Sequence, residues 1–306
     1  MAIRIGISPI AWQNDDLPEM TAAFTMDDAL RDAAAIGYCG VERGRRMPAD
    51  TEGLQAYLDR HGLALCGGWC SGALMTRSVA EEIESVRAQV AQFVALGAPC
   101  LVYAECSNTV QGDRGVPIGR RPKLGSDEIA AYAAKLSELA KWMADEGMAL
   151  SYHHHMGSMI EDAEDVDRLM AGSSAEVNLL YDTGHLAFGG ADPLAVLDRW
   201  GDRVNHVHVK DVRPEVTARA RTEGMSFLDA VAAGAFTVPG DGALDFESVA
   251  RRLAAMDYDG WIVVEAEQDP AKAPPLEYSR MGYEHILAVC AAAGLAVESP
   301  TKRKAI

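Results

Sequence analysis

The chain has 306 residues, 49% hydrophobic and 24% charged, with a formal net charge of -17 and a pI near 4.8. This acidity disfavours a nucleic-acid partner, because binding to a phosphate backbone needs clustered Lys and Arg that replace counterions. No segment approaches the roughly 18 uninterrupted apolar residues of a membrane span, and the N-terminus lacks the features of a signal peptide. We therefore expect a cytoplasmic protein without a membrane partner, built as one domain over residues 1–306.

Short apolar or β-branched runs alternate with amphipathic segments along the chain. The eight strand-like runs, in chain order, are IRIGIS, GVER, LALCGGW, CLVYAE, ALSYHHH, NLLYDTG, VNHVHVK and GWIVVEA. The segment from Asp127 has apolar residues at three- and four-residue intervals, which is typical of a helix. We predict Ser126 as the N-cap of this helix and Gly147 as its C-terminal stop.

Strand and helix alternating eight times favour a single-domain (β/α)8 barrel, or TIM barrel, with right-handed crossovers. The competing architecture is an open doubly wound sheet. Such a sheet more often has a glycine-rich phosphate loop after its first strand, and SPIAWQNDDLPEM has no such loop.

Two connections are long: Cys106–Gly125 after the fourth strand and Asp211–Asp245 after the seventh. In a barrel, such loops lie on the catalytic face. Within the second loop, PGDG at 239–242 predicts a tight turn with glycines at positive φ. Whether this turn also folds over the barrel mouth is left open by the sequence. The six cysteines are too sparse for a disulfide scaffold, so we predict free thiols, with a Cys66/Cys70 redox pair as the alternative.

Residue types that bind metals stand at the ends of four consecutive predicted strands. They are His153, His154 and His155 at the fifth, Asp182 and then His185 at the sixth, His206 and His208 at the seventh, and Glu265 and Glu267 at the eighth. One such Asp commonly caps the following helix, and one such His is more often hydrogen-bonded in a core. Four in succession point to one site, because the carboxyl ends of barrel strands converge on one mouth.

Two imidazoles and two carboxylates suit Mn²⁺, Co²⁺ or Zn²⁺, whereas Ca²⁺ and Mg²⁺ prefer all-oxygen ligands. Strand side chains alternate between faces, so His153 and His155 share one direction, as do Glu265 and Glu267. We predict a divalent metal site whose ligands are His153, Asp182, His208 and Glu265.

Motifs along nearly the whole chain resemble those of the inosose dehydratases, within the xylose isomerase-like sugar isomerase/epimerase superfamily. The matching stretches are PIAWQNDDLPE, YAECSNTVQG, YHHHMGS, YDTGHLAFGG, HVHVKDVRP, FTVPGDGALDF and VVEAEQDPAKAPPLEY. The D-T-G-H and H-x-K-D motifs indicate only the superfamily. The NDD segment, the triple histidine and FTVPGDG are specific to the dehydratases.

The resemblance implies dehydration of scyllo-inosose, a cyclic polyol ketone, to a trihydroxycyclohexanedione, with Mn²⁺ or Co²⁺ and a use of glutathione. The superfamily's isomerases hold their metal with Glu, Asp, His and Glu. An alignment of ALSYHHH with the first of these strands places His153 where the isomerases have Glu. This disfavours their mechanism, which uses two carboxylates as paired acid and base, and an imidazole-rich site can exchange protons near neutral pH.

Further residues are assigned provisional roles around the predicted metal. The candidates for removing a proton from the substrate are His155, His185 and Glu267, which the sequence does not rank. Lys210 would either stabilise an enolate or pair structurally with Asp211. Glu105, Asn108 and Gln111 would bind ring hydroxyls, and Trp12, Asn14 and Trp69 would border the pocket, although tryptophans near a barrel mouth are as often packing residues.

Three classes of function remain open from the sequence. The first is a hydro-lyase of the inosose dehydratase type, the second is a metal-dependent keto-sugar or inosose isomerase/epimerase, and the third is a non-catalytic sugar-binding barrel. A metal-dependent endonuclease is disfavoured by the acidic charge. Barrels of this superfamily often form homo-oligomers, and ILAVCAAAGLAV is either the last barrel helix and its following turn or an interface.

Overall fold

The computed structural model describes residues 2–298, in which eight parallel strands close into a barrel. The strands are β1 Arg4–Ile7, β2 Gly40–Arg43, β3 Ala64–Gly72, β4 Cys100–Glu105, β5 Ala149–His153, β6 Val177–Asp182, β7 Val204–Val209 and β8 Trp261–Val264. Each strand pairs with its neighbour in the sequence, and β8 pairs with β1. The predicted TIM barrel is thus confirmed, and the open sheet is excluded.

Helices surround the barrel. They are α1 Met26–Ile36, α2 Thr51–His61, α3 Val79–Ala95, α4 Ser126–Asp145, α5 Ala163–Gly172, α6 Thr183–Gly189, α7 Pro193–Trp200, α8 Pro214–Thr222, α9 Phe227–Ala233, α10 Phe246–Ala255 and α11 Pro275–Ala292, with 3₁₀ turns at Pro9–Ala11, Ile118–Arg120 and Gly201–Arg203. No helix within residues 2–298 has the length and apolar character that crossing a membrane requires.

Two of the predicted helix boundaries can be compared directly with the structure. Gly125 is the N-cap of α4, and its N–H donates to the Glu128 carboxylate at 2.8 Å, so Ser126 is the first helical residue and not the cap. Gly147 follows the end of α4 at φ 85°, as predicted for a C-terminal stop. The run from Ile286 continues in α11 as far as Ala292, so it belongs to the last barrel helix.

The barrel interior is filled below the site. Leu101 and Leu150 belong to the large core between the strands and the helices, whereas Cys100, Val102 and Leu180 form a separate buried cluster. This division follows the alternation of side chains along barrel strands. All six cysteines are free thiols, so the Cys66/Cys70 redox pair is not formed.

The long loop after β7 folds as a compact unit with its own small core. A two-stranded antiparallel ribbon joins Asp211–Val212 to Phe236–Thr237, and α8 and α9 lie between its strands. The apolar side chains of this unit cluster with residues of neighbouring loops. The ribbon places these two helices beside the barrel mouth, where sequence analysis predicted only a long loop.

A single carboxylate organises the PGDG turn. Asp211 accepts hydrogen bonds from five backbone N–H groups, those of Val212, Gly240, Gly242, Ala243 and Leu244. Gly240 has φ 91°, as the turn prediction required. The prediction was wrong for Gly242, which lies outside the left-handed region; a Cβ there would instead collide with the Asp211 carboxylate.

Candidate active site

Four ligand-type side chains meet at the carboxyl end of the barrel. His153 ends β5, Asp182 ends β6, His208 lies on β7, and Glu265 directly follows β8. One donor atom from each of the four lies within 4.8 Å of the others, and all four side chains are buried. Asp182 and His208 are also register partners on adjacent strands. The structure therefore brings together the four residues predicted as metal ligands.

The two carboxylate oxygens of Asp182 have different surroundings. Its Oδ1 accepts the His185 N–H at 2.8 Å and caps α6. Its Oδ2 is buried without a hydrogen-bond partner among residues 2–298, and lies 3.8 Å from His153 Nε2 and 3.6 Å from His208 Nδ1. These separations are too long for hydrogen bonds, so an oxygen facing two imidazole nitrogens fits a cation between them.

The two imidazoles are oriented by their other nitrogens. His153 Nδ1 lies 2.6 Å from the carbonyl oxygen of His154, which places the proton on Nδ1 and turns Nε2 toward the cluster. His208 Nδ1 lies 3.4 Å from Glu265 Oε2, and its Nε2 is hydrogen-bonded elsewhere. Two nitrogen lone pairs and two carboxylates directed at one point suit a divalent transition metal.

Glu42 contacts two histidines of the site and was not predicted from the sequence. Its Oε1 lies 3.0 Å from His206 Nε2 and 3.0 Å from His208 Nε2. Although burial opposes ionisation, the two histidines lower the pKa of Glu42 to about 2. The only sign in the sequence was a carboxylate at the carboxyl end of GVER.

Lys210 is fully buried and contacts carboxylates of the cluster. Its Nζ lies 2.5 Å from Glu265 Oε1, 2.7 Å from Glu267 Oε2 and 3.7 Å from Asp182 Oδ2. Burial alone would lower the pKa of Lys210, but the surrounding carboxylates raise it above its usual value. The alternative pairing with Asp211 is wrong, because the Asp211 carboxylate binds backbone N–H groups of the PGDG turn instead.

His155, His185 and Glu267 form a second group beside the four-donor cluster. The rings of His155 and His185 are 4.0 Å apart, and His185 Nε2 lies 4.0 Å from Glu267 Oε1. Burial lowers the pKa of His155 to about 4 and raises that of Glu267 to about 7. His155 and Glu267 line the cavity, whereas His185 lies behind them against Lys210 Nζ at 3.1 Å.

A cavity of about 620 Å³ opens above these groups. Its floor is formed by His153, His155, His208, Glu265 and Glu267, and its wall includes Gln13, Arg43, Trp69, Ser71, Gln89 and Gln111. The indole of Trp69 stands edge-on to the rings of His153 and His155 at 5.7 and 5.6 Å, and is 37% exposed. Trp69 and Gln111 therefore lie where a substrate would contact them.

Four residues predicted to contact substrate lie outside the cavity lining. Trp12 follows the 3₁₀ turn after β1 and is fully buried, with Nε1 donating to Asp32 at 3.1 Å. Asn14 accepts two backbone N–H groups of its own loop, and Glu105 accepts backbone and hydroxyl donors from neighbouring loops. Asn108 adopts φ 58° at a loop turn. Packing covers Trp12, and hydrogen-bond donors occupy the Asn14 and Glu105 side chains, whereas the Asn108 side chain is exposed.

The chain belongs to the xylose isomerase-like TIM barrel family, whose family model matches residues 30–288. Within that family, it is 44% identical to the rhizopine catabolism protein MocC of Rhizobium meliloti, covering 98% of this chain and 92% of that protein. It is 42% identical to the inosose dehydratase of Geobacillus thermodenitrificans, covering 94% of this chain and 97% of that protein. The resemblance drawn from the sequence motifs is thereby confirmed.

Solved structures agree with the fold. The probable 3-DHS dehydratase AsbF of Bacillus anthracis superposes with a TM-score of 0.68 at 12% identity, covering 93% of this chain and 99% of that one. The IolI protein, described with a bound zinc atom, gives a TM-score of 0.68 at 16% identity, covering 95% and 99%. At these identities, the likeness supports the barrel alone.

Proposed function

We propose that this protein is an inosose dehydratase, a hydro-lyase that converts scyllo-inosose (2-keto-myo-inositol) to a trihydroxycyclohexane-1,2-dione and water in inositol catabolism. The observation that carries the proposal is the buried four-donor cluster at the floor of a cavity, in a chain 42% identical to an inosose dehydratase. The polar cavity wall and its volume of about 620 Å³ suit a six-membered polyol ketone.

The cofactor in this proposal is a divalent ion held by His153, Asp182, His208 and Glu265. Mn²⁺ or Co²⁺ is preferred, with Zn²⁺ as the alternative, because all three accept mixed nitrogen and oxygen ligands. Such an ion would polarise the substrate ketone and stabilise the negative charge that develops when the adjacent proton leaves. Glutathione is proposed as a further component of the reaction, on the resemblance alone.

The cavity-lining pair His155 and Glu267 would move the protons. One of the two takes the proton from the carbon next to the ketone, and the electron pair forms the enol double bond. The other gives a proton to the β-hydroxyl, whose carbon–oxygen bond breaks, so that one water leaves and the enol product tautomerises to the dione. His155 Nδ1 lies 2.9 Å from the Met156 carbonyl oxygen, which leaves Nε2 free for this exchange.

Residues behind this pair would hold it in place. Lys210 lies outside the cavity lining and contacts Glu265 and Glu267, so we assign it a positioning role through these carboxylates. The ring of Phe227 lies 5.1 Å from that of His155, and Phe236 lies 5.1 Å from His185. These aromatic side chains from the loop after β7 would keep water away from the His155 and His185 rings on the side remote from the cavity.

The product formed from scyllo-inosose tests the proposal. Metal-free protein is reconstituted with Mn²⁺, Co²⁺ or Zn²⁺, with and without glutathione, and the product is followed by mass and by enedione-type absorbance. Loss of one water by the wild type, but by neither Asp182→Asn nor His208→Ala, is the expected result. A product of unchanged mass would instead support the isomerase/epimerase alternative. Binding without turnover under any of these conditions would support a sugar-binding barrel.

A further inference from the structure

Glu42 contacts a proposed metal ligand from the opposite side of the barrel interior. We propose that Glu42 is a positioning residue that fixes the His208 imidazole with its Nδ1 lone pair directed at the metal. The inference rests on the proposed function, because His208 is one of the ligands assigned there. It adds a residue of β2 to a four-donor cluster otherwise built from β5 to β8.

The barrel provides space for this contact. In the closed sheet, β1 and β8 lie between β2 and β7, so the Glu42 side chain reaches His208 through the interior and not along the sheet. The register between β2 and β3 shifts at Val41/Glu42. Opposite, Gly67 adopts φ 149°, and a Cβ at this position would lie 3.2 Å from Glu42 Oε1. A larger residue would therefore crowd the carboxylate.

The hydrogen bond from His208 to Glu42 determines which His208 ring nitrogen can bind the ion. An ionised carboxylate only accepts hydrogen bonds, so His208 Nε2, at 3.0 Å from Glu42 Oε1, must carry a proton. Because Nε2 is engaged by Glu42, Nδ1 is the nitrogen that would supply a lone pair to the ion. This atom faces Asp182 Oδ2 at 3.6 Å and Glu265 Oε2 at 3.4 Å, both from proposed ligands. The carboxylate thus selects the tautomer that can bind the ion, and makes the imidazole a stronger donor.

His206 holds the Glu42 carboxylate in turn. Its Nε2 donates to the same Oε1 at 3.0 Å, and its ring lies 5.4 Å from that of His208. His206 is fully buried and lies outside the four-donor cluster. Two donors on one oxygen restrict the rotation of the carboxylate, so His208 donates its hydrogen bond in one fixed direction. The competing possibility is that Glu42, His206 and His208 themselves hold a second ion.

The test compares the metal affinity of Glu42→Ala and Glu42→Gln with that of the wild type, by competition with a chelator for Mn²⁺ and Co²⁺. Glu42→Ala should weaken binding by about 10- to 100-fold, the range for residues that orient metal ligands. Glu42→Gln should recover part of the loss, because its amide oxygen still accepts from His208. The visible absorption of the Co²⁺ protein should change in Glu42→Ala, since the ligand geometry changes.

The matched control is Glu82→Gln, which alters another buried carboxylate. Glu82 accepts from the Tyr103 hydroxyl at 2.9 Å and from the Ala73 N–H at 3.0 Å, and contacts no proposed ligand. We expect it to lower Tm without changing metal affinity. Unchanged affinity and Co²⁺ spectrum in Glu42→Ala would overturn the inference, as would the loss of a second bound ion, which would make Glu42 a ligand. A wild type that binds no ion would overturn the proposed metal site as well.

Discussion

The Nζ of Lys210 lies 2.5 Å from Oε1 of Glu265, and both side chains are buried. The same nitrogen also contacts Glu267, and Asp182 lies just beyond hydrogen-bond range. Removing one partner of a buried ion pair leaves an uncompensated charge in a medium of low polarity. Despite their burial, Lys210 thus lowers the pKa values of Asp182 and Glu265, so that these two carboxylates stay ionised side by side.

Lys210→Met should destabilise the metal-free protein by about 3–5 kcal/mol, the usual cost of breaking a buried pair. Added Mn²⁺ should raise the Tm of the variant more than that of the wild type, because the ion supplies part of the missing positive charge. Thermal unfolding with and without Mn²⁺ measures both effects. Lys272→Met, at an exposed lysine, is the control and should behave as wild type. Equal Mn²⁺ responses in the Lys210 variant and the wild type would contradict this account.

His155→Gln should lower kcat by about 10²- to 10⁴-fold, the usual contribution of a general acid or base. Its affinity for Mn²⁺ should stay close to that of the wild type, because His155 lines the cavity outside the four-donor cluster. Steady-state kinetics and chelator competition separate the two quantities. His61→Gln, on the outer helix α2, is the control with unchanged kcat. A His155 variant with normal kcat would exclude this residue from proton transfer.

Gly240→Val should destabilise the PGDG turn. Gly240 has φ 91°, and a Cβ there would lie 2.7 Å from His285 Nδ1. A non-glycine residue in a strained backbone conformation costs about 1–3 kcal/mol, before the contact with His285 is added. Denaturant unfolding and activity should both decline. The control is Gly119→Ala, where no atom would meet the new Cβ. Unchanged stability and activity in Gly240→Val would reject the requirement for positive φ.

Glu161→Gln should flatten the pH dependence of stability between pH 4.5 and 6. Burial raises the pKa of Glu161 from its ordinary 4.5 to about 6, despite Arg121 Nε at 3.3 Å from Oε1. The folded state therefore holds this proton more tightly than the unfolded state. The associated stability is complete below pH 4.5 and is lost as pH rises through 6, by roughly 2 kcal/mol.

Urea unfolding at a series of pH values measures this difference between wild type and Glu161→Gln. The wild type should lose more stability than the variant over that window. The exposed Glu164→Gln is the control and should follow the wild-type curve. Parallel curves for the wild type and Glu161→Gln would show that Glu161 titrates alike in the folded and unfolded states.

Sequence alone predicted the barrel and the four-donor cluster because both depend on periodic patterns. Strand-length apolar runs end in polar residues, and barrel geometry brings those ends together whatever their distance in sequence. Each predicted ligand lies at or next to the carboxyl end of its strand: His153, Asp182, His208 and Glu265. Their convergence could be inferred without knowing any individual contact.

The features that sequence analysis did not predict, or placed wrongly, are those whose positions depend on contacts across the molecule. Glu42 is the third residue of the four-residue strand β2 and precedes an arginine, so in sequence it does not differ from a surface carboxylate. Trp12 was placed at the mouth because it follows β1, but it is buried beside Asp32 of α1. The ribbon at 211–212 and 236–237 is too short for any periodicity to show. Such features require the register of the whole barrel.

The hydrogen bonds between the Asp211 carboxylate and the backbone of the PGDG turn also affect how the sequence of this barrel can evolve. The carboxylate connects the two ends of the ribbon. The insertion that contains α8 and α9 is therefore closed at its base by hydrogen bonds that do not involve these two helices. Phe227 and Phe236 pack on His155 and His185 and must stay, whereas the exposed residues of α8 can be exchanged while His208 and Lys210 keep their geometry. The protein thus separates a part that can acquire new preferences from a part that must stay fixed for chemistry to continue.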